Sequence, residues 1–167
     1  MLFRSNPAGD FAVLGSGSGA HPFGSPKDYQ DFIHRMDGMR VWIDQAIANM
    51  REGVKHDVTQ PRPVIEKVLP QLKTLAMARV EDSIFFQPLN ELPDGIDAAT
   101  RQRLVTDYRA AIERTLTSYR RLYDYMSTEY LPAARTSVGW SQLPGGQDWY
   151  AFLVAVYTTT RMSPAIW

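Results

Sequence analysis

Within 167 residues, 18 basic and 18 acidic side chains cancel to a formal net charge of zero, so no chain-wide attraction draws the protein to nucleic acid or an anionic membrane. There is no cysteine, which excludes disulfides, thiolate metal sites and cysteine nucleophiles. A composition of 44% hydrophobic and 22% charged residues suits a globular domain with a real core, and no run approaches the roughly 18 apolar residues of a membrane span.

Residues 1–25 read as an irregular entry segment, because "NPAGDFAVLGSGSGAHPFGS" is rich in Gly, Ser and Pro. Its "GSGSG" lacks the Lys-Ser/Thr and the helix of a phosphate loop, so a flexible loop is expected. The helical domain is predicted over 26–167. Ser25-Pro26 pairs a cap serine with a proline at the first helical position. Tyr29, Phe32, Ile33, Met36, Met39, Ile43, Ile47, Met50 and Val54 then recur at helical spacing, and Gly53 fits the end. A second helix follows "TQPRP", with Thr59 as candidate cap. Its stripe is Val64, Ile65, Val68, Leu69, Leu72, Leu75 and Ala76, and Pro70 is expected to kink it.

"FFQPLNELPDG" is expected to be a loop. A third helix is predicted from about Asp97 to Leu131, striped by Leu104, Tyr108, Ala111, Ile112, Leu116, Tyr119, Leu122, Tyr123, Met126 and Tyr130. At 1.5 Å per residue it is a rod on the order of 50 Å. "ARTSVGWSQLPGG" is a loop, and a fourth helix near Gln147–Tyr157 carries Tyr150, Leu153, Val154 and Tyr157 on a broad apolar face. No two-residue alternation is sustained, so the fold class is all-α, built of long antiparallel helices. At the end, Ser163-Pro164 repeats the cap-and-proline signature just before the chain stops, and "MLFRS" at the start reads as adapter-derived. Both ends are therefore expected to be cuts from a longer gene, with the domain truncated at its C-terminus.

Few residues announce chemistry. His21, His34 and His56 do not form the His-Glu-x-x-His pattern, in which two imidazoles four apart face one metal and the glutamate activates its water. His34 reads as a surface or structural histidine, His56 as a complement to a helix end, and His21 as a local hydrogen-bonding residue. The acids of "VED" and "NELPDG" read as solvated charge. "SYRRLYDY" reads as core tyrosines beside solvated arginines rather than a nucleic-acid surface. In "LPGGQDWY", Gly145 and Gly146 stand before a helix, where glycine lets backbone N–H groups approach a ligand. The plainer reading of the pair is a turn and a helix start.

The segments "HPFGSPKDYQDFIHRM", "IDQAIANMREGV", "TQPRPVIEKVLPQL" and "YRRLYDYMSTEYLPAARTSVGWSQLPGGQDWYAFLVAVYTTTRMSP" occur in an order that resembles the N-terminal half of the bacterial family called domain of unknown function 885. The resemblance spans about residues 20–164 and is most specific in "EYLPAARTSVGWSQLPGG" and the "WY", "TTT" and "SP" that follow. It implies the N-terminal part of a larger helical, zincin-like metallopeptidase fold, with zinc in the intact parent and peptides as substrates. Thr159 to Ala165 matches the stretch that leads toward the family's His-Glu-x-x-His, and the chain departs from the pattern at Ile166-Trp167. No metal ligand or catalytic residue can therefore be carried onto this chain, and no cofactor is expected in it. The resemblance places Gly145, Gly146, Trp149 and Tyr150 as substrate-cleft candidates, with the missing C-terminal half as the partner. The chain is expected to be soluble, and a periplasmic or secreted location stays open. The rival reading is a non-catalytic helical binding or scaffold module, and a downstream His-Glu-x-x-His would decide between them.

Overall fold

Asn6 accepts a hydrogen bond from the Gly9 N–H, and Pro7 occupies the first helical position. Together they start α1 (Pro7–Leu14), an eight-residue helix inside the segment expected to be irregular. The correction has a second cause: Ala8 and Ala12 are buried and Phe11 stacks on Phe32, so burial adds to a good cap. A computed structural model describes residues 6–159. The adapter-like start and Ser163-Pro164 lie outside them.

The predicted cap at Ser25 opens α2 (Pro26–Lys55) as a capping box. The Asp28 N–H donates to the serine hydroxyl, and the Asp28 carboxylate accepts from the serine N–H. The next helix, α3 (Arg62–Ala76), starts at Pro61, not Thr59, whose hydroxyl has another partner. It runs on through Pro70, which lies on its exposed side. The stretch expected to be a loop contains a 3₁₀ helix, Ile84–Asn90, that buries Phe85 and Pro88. Asp97 then caps α4 (Ala98–Tyr125), which passes into one π-helical turn, Met126–Tyr130, and a last α-turn, α5 (Leu131–Ala133). A 3₁₀ turn, Trp140–Gln142, precedes α6 (Gly146–Thr158). Helices are the only regular elements among the described residues, so the fold is all-α. None of them is long and apolar enough to cross a membrane.

Successive long helices run antiparallel, as expected, but the two longest are the first and third strokes of an up-down-up path. They are therefore parallel to each other and form the principal packing pair. The ion pairs along their flank give the direction: Arg114 meets Asp37, Arg121 meets Asp44, and Arg51 meets Glu129. On α2 the acceptors and donor recur every seven residues. On α4 the first step is seven and the second is eight. The extra residue falls in the π turn, as a wider i to i+5 bond pattern requires. These pairs are solvent-exposed, so water and salt screen them and they add little to stability. Their value lies in marking the register set by the apolar seam beneath, where Tyr29, Phe32, Met36, Ile43, Tyr108, Ile112 and Leu116 are fully enclosed.

The return stroke is composite. α3 covers the far end of the seam, where Arg120 Nε donates to the Ala76 carbonyl (2.9 Å), and the 3₁₀ helix covers the near end, where the Tyr29 hydroxyl donates to the Pro88 carbonyl (2.7 Å). At that near end Phe11, Phe23, Phe32, Phe85, Tyr29 and Tyr108 form one aromatic cluster, with His21 against its edge. His21 Nε2 lies 2.9 Å from the Asp28 carbonyl, a local bond of the expected kind. "GSGSG" is a loop of turns and bends whose first two residues, Gly15 and Ser16, are buried, and the Ser16 hydroxyl donates to the Val13 carbonyl at 2.8 Å.

Two predictions follow from this packing. A Cβ at Gly15 would stand 2.4 Å from Phe32 Cζ and 2.8 Å from Phe85 Cδ1, whereas one at Gly38, mid-α2, would meet nothing within 4 Å. Gly15→Ala should destabilise by about 1–3 kcal/mol, and Gly38→Ala should stabilise by about 0.5–1 kcal/mol. Urea midpoints at constant slope measure both, and equal effects at the two sites would contradict the packing. Secondly, burial is the leading cause that holds the phenols of Tyr29, Tyr108, Tyr119, Tyr125 and Tyr130 above the ordinary tyrosine value. The folded chain therefore keeps these protons above about pH 10, where the unfolded chain releases them, and stability should fall as pH rises past that point. The tyrosinate absorbance of these five should appear together with loss of helical ellipticity, and ionisation of all eight tyrosines without unfolding would be inconsistent with enclosed hydroxyls.

Candidate functional site

Beyond α5 the chain doubles back onto the α2–α3 corner, and one residue fixes it there. The Arg135 N–H donates to the Thr59 hydroxyl (3.1 Å), and its carbonyl accepts from the Arg62 N–H (2.8 Å), forming a lone parallel bridge. Its guanidinium donates from Nε to the Thr59 carbonyl (2.9 Å), and from Nη1 to the carbonyls of Ser137 (2.9 Å) and Gly139 (2.8 Å). Arginine suits this task because it offers five donors in a rigid fork and stays charged. The result positions residues 135–140 along the ends of α2 and α3.

Between those elements and the π turn lies a half-open cavity of about 440 Å³. Its walls are apolar, with Trp42 and Met50 from α2, Val64 and Val68 from α3, and Val138 and Trp140 from the returning segment. Tyr130, 3% exposed, and Gln60 both line it. The Gln60 N–H donates to the Tyr130 hydroxyl at 2.9 Å. Burial pushes the Tyr130 phenol up, and the Gln60 bond and the Arg135 charge oppose this. The phenol is therefore a neutral donor at ordinary pH.

None of the four residues singled out from the sequence lines this cavity. Gly145 takes a left-handed conformation (φ 65°) and Gly146 is buried. The Gly146 N–H already donates to the Leu143 carbonyl (2.8 Å), which closes the turn. Trp149 and Tyr150 lie on α6 at 59% and 46% exposure, and Trp149 meets Phe152 edge-on at 6.2 Å. α6 rests chiefly on the Trp140–Gln142 turn. Of the predicted apolar face of the fourth helix, Tyr150 and Tyr157 are exposed and Leu153 and Val154 half-buried, and Phe152 and Val156 beside it are exposed as well.

Other sequence readings fall into place. His34 is exposed, and His56 caps the end of α2, 2.9 Å from Glu52. In "SYRRLYDY", Tyr119, Leu122 and Tyr125 are buried, Arg120 ties α4 to the end of α3, and Arg121 pairs with Asp44. Sequence reasoning missed Arg135, Thr59, Gln60 and Tyr130 as a set. The signal available was an Arg directly after a long helix in a stretch with no acid, and it names no partner. Among the described residues no three His, Cys, Asp or Glu side chains gather as a metal-holding group.

One family model, described as a bacterial protein of unknown function (DUF885), matches residues 3–166. No curated protein and no solved structure matches the chain.

A Cβ at Gly146 would fall 2.0 Å from the Trp140 carbonyl oxygen, whereas one at Gly139 would meet nothing closer than 3.5 Å. Gly146→Ala should therefore cost about 1–3 kcal/mol and unseat α6, while Gly139→Ala should be nearly silent. Amide hydrogen exchange across residues 147–158 reads the difference, and protection unchanged in Gly146→Ala would count against the seat described.

Proposed function

The chain belongs to this family of bacterial proteins of unknown function, and from that membership we propose that it is the helical N-terminal part of a zinc-dependent, peptidase-like hydrolase acting on peptides. The observation that carries the reading is the open aromatic face of α6. Trp149, Tyr150, Phe152 and Tyr157 are exposed on one short helix, directly after the Gly145-Gly146 turn. Large amphipathic rings held on a rigid helix are suited to gripping a peptide, because they offer much apolar area for few rotatable bonds. In this reading Trp149 and Tyr150 form part of one wall of the substrate cleft, and the two glycines set the height of that wall.

Zinc and the glutamate that would activate its water belong to the parent outside this chain. When bound, zinc supplies the Lewis acid for the scissile carbonyl. The residues here orient peptide and exclude water, and the C-terminal half of the same polypeptide is their partner.

The test uses the longer protein that the reading requires. It should cleave unstructured peptides, lose that activity to a chelator and regain it with zinc, while the present chain alone cleaves nothing. Trp149→Ala or Tyr150→Ala should lower kcat/KM about tenfold, the size of a lost aromatic contact of 1–1.5 kcal/mol, at unchanged melting temperature. Cleavage indifferent to chelation, or a complete gene without His-Glu-x-x-His, would sink the hydrolase reading. Full activity in both aromatic variants would remove α6 from the cleft.

A further inference from the structure

The cavity beneath the Arg135-anchored segment has no part in the reading so far. Its size lies within the range of ligand sites, and its walls are rings and aliphatic side chains. No aspartate or glutamate lines it among the described residues, and the one cation that does, Arg135, is already engaged by backbone carbonyls. The Asn6 amide at the rim donates to Gln71 (3.0 Å). A charged ligand would lose its hydration here without gaining an opposite charge. The Tyr130 hydroxyl differs from these groups. It accepts from the Gln60 N–H, and among the described residues no acceptor takes its own proton. A buried hydroxyl in this state carries one unused donor, which a ligand carbonyl can satisfy. The π turn holds Tyr130 at this wall, and such turns inside α-helices frequently mark functional sites.

We infer that this cavity is a binding pocket for a bulky, uncharged side chain of a peptide, whose adjoining carbonyl accepts a hydrogen bond from Tyr130. The inference rests on the peptide reading above for the class of ligand. It adds a second, recessed contact to the open face of α6, which makes it a specificity element: the α6 face accepts many side chains, whereas the pocket selects large apolar ones. Acidic and basic side chains are refused for want of a counter-charge.

The test is a binding measurement on this whole chain and needs no hydrolysis. N-acetyl-phenylalaninamide and toluene share the ring, but only the first has carbonyls. Both should shift the indole N–H signals of Trp42 and Trp140 saturably in nitrogen-15 correlation spectra. Ala46→Phe, which fills the cavity from α2, should abolish both responses. Tyr130→Phe should weaken the amide about tenfold, the worth of one net hydrogen bond, and leave toluene unchanged. Should that variant fail to fold, the carbon-13 shift of Tyr130 Cζ in the unaltered chain decides instead, moving with the amide and not with toluene. No saturable shift at either tryptophan, undiminished binding in Ala46→Phe, equal weakening of both probes in Tyr130→Phe, or a Tyr130 signal indifferent to the amide would overturn the pocket. Such a failure leaves peptide hydrolysis by the longer protein standing, and absent hydrolysis with intact binding strikes the hydrolase reading alone.

Discussion

The parallel seam between α2 and α4 is the constraint on which the rest of the molecule depends. Two helices of 30 and 28 residues can lie parallel only if a third stroke carries the chain back between them. α3 is half their length, at 15 residues, so the return is completed by the 3₁₀ helix with Phe85 and Pro88 facing the core. The seven-residue recurrence of ion pairs on α2 marks a coiled-coil-like register. A straight α-helix drifts from that register, and the inserted residue of the π turn lets Glu129 reach Arg51 while the seam beneath stays packed. The same insertion aims Tyr130 at the α2–α3 corner, where its hydroxyl meets Gln60.

The two ends of the seam are finished differently. At the start of α2, aromatic rings close the core on all sides, helped by α1 and by glycines that let it approach. At the other end the closure is polar. Arg135 binds the carbonyls of Thr59, Ser137 and Gly139, so the returning chain is fixed by directional bonds instead of side-chain packing. A backbone held by hydrogen bonds need not fill the space beneath it. This is why the cavity lies at this end.

Much of the local structure was legible along the chain. The Ser25 cap, the start of the third helix near Asp97, the stripes of the long helices and the turn before α6 follow from rules that act within a few residues. The errors share one origin. Thr59 looked like a helix cap because its partner, Arg135, lies 76 residues away. "FFQPLNELPDG" looked like a loop because proline and glycine punctuate it, yet Phe85 joins the core against Tyr119. "GSGSG" is the expected loop, but the approach of Gly15 to Phe32 and Phe85 is a distant contact that its own residues do not announce. The Gly145-Gly146 turn was legible, but the cavity walled by α2, α3 and Trp140 was not.

By itself the sequence determined the helical class, the positions of the long helices and their buried faces, because periodicity and capping are properties of neighbouring residues. The tertiary structure alone decided that the two longest helices are parallel, that a π turn corrects their register, and that Arg135, Thr59, Gln60 and Tyr130 meet at one corner. Those facts depend on pairings across 70 residues or more, and no local rule specifies which distant backbone carbonyl an arginine will find.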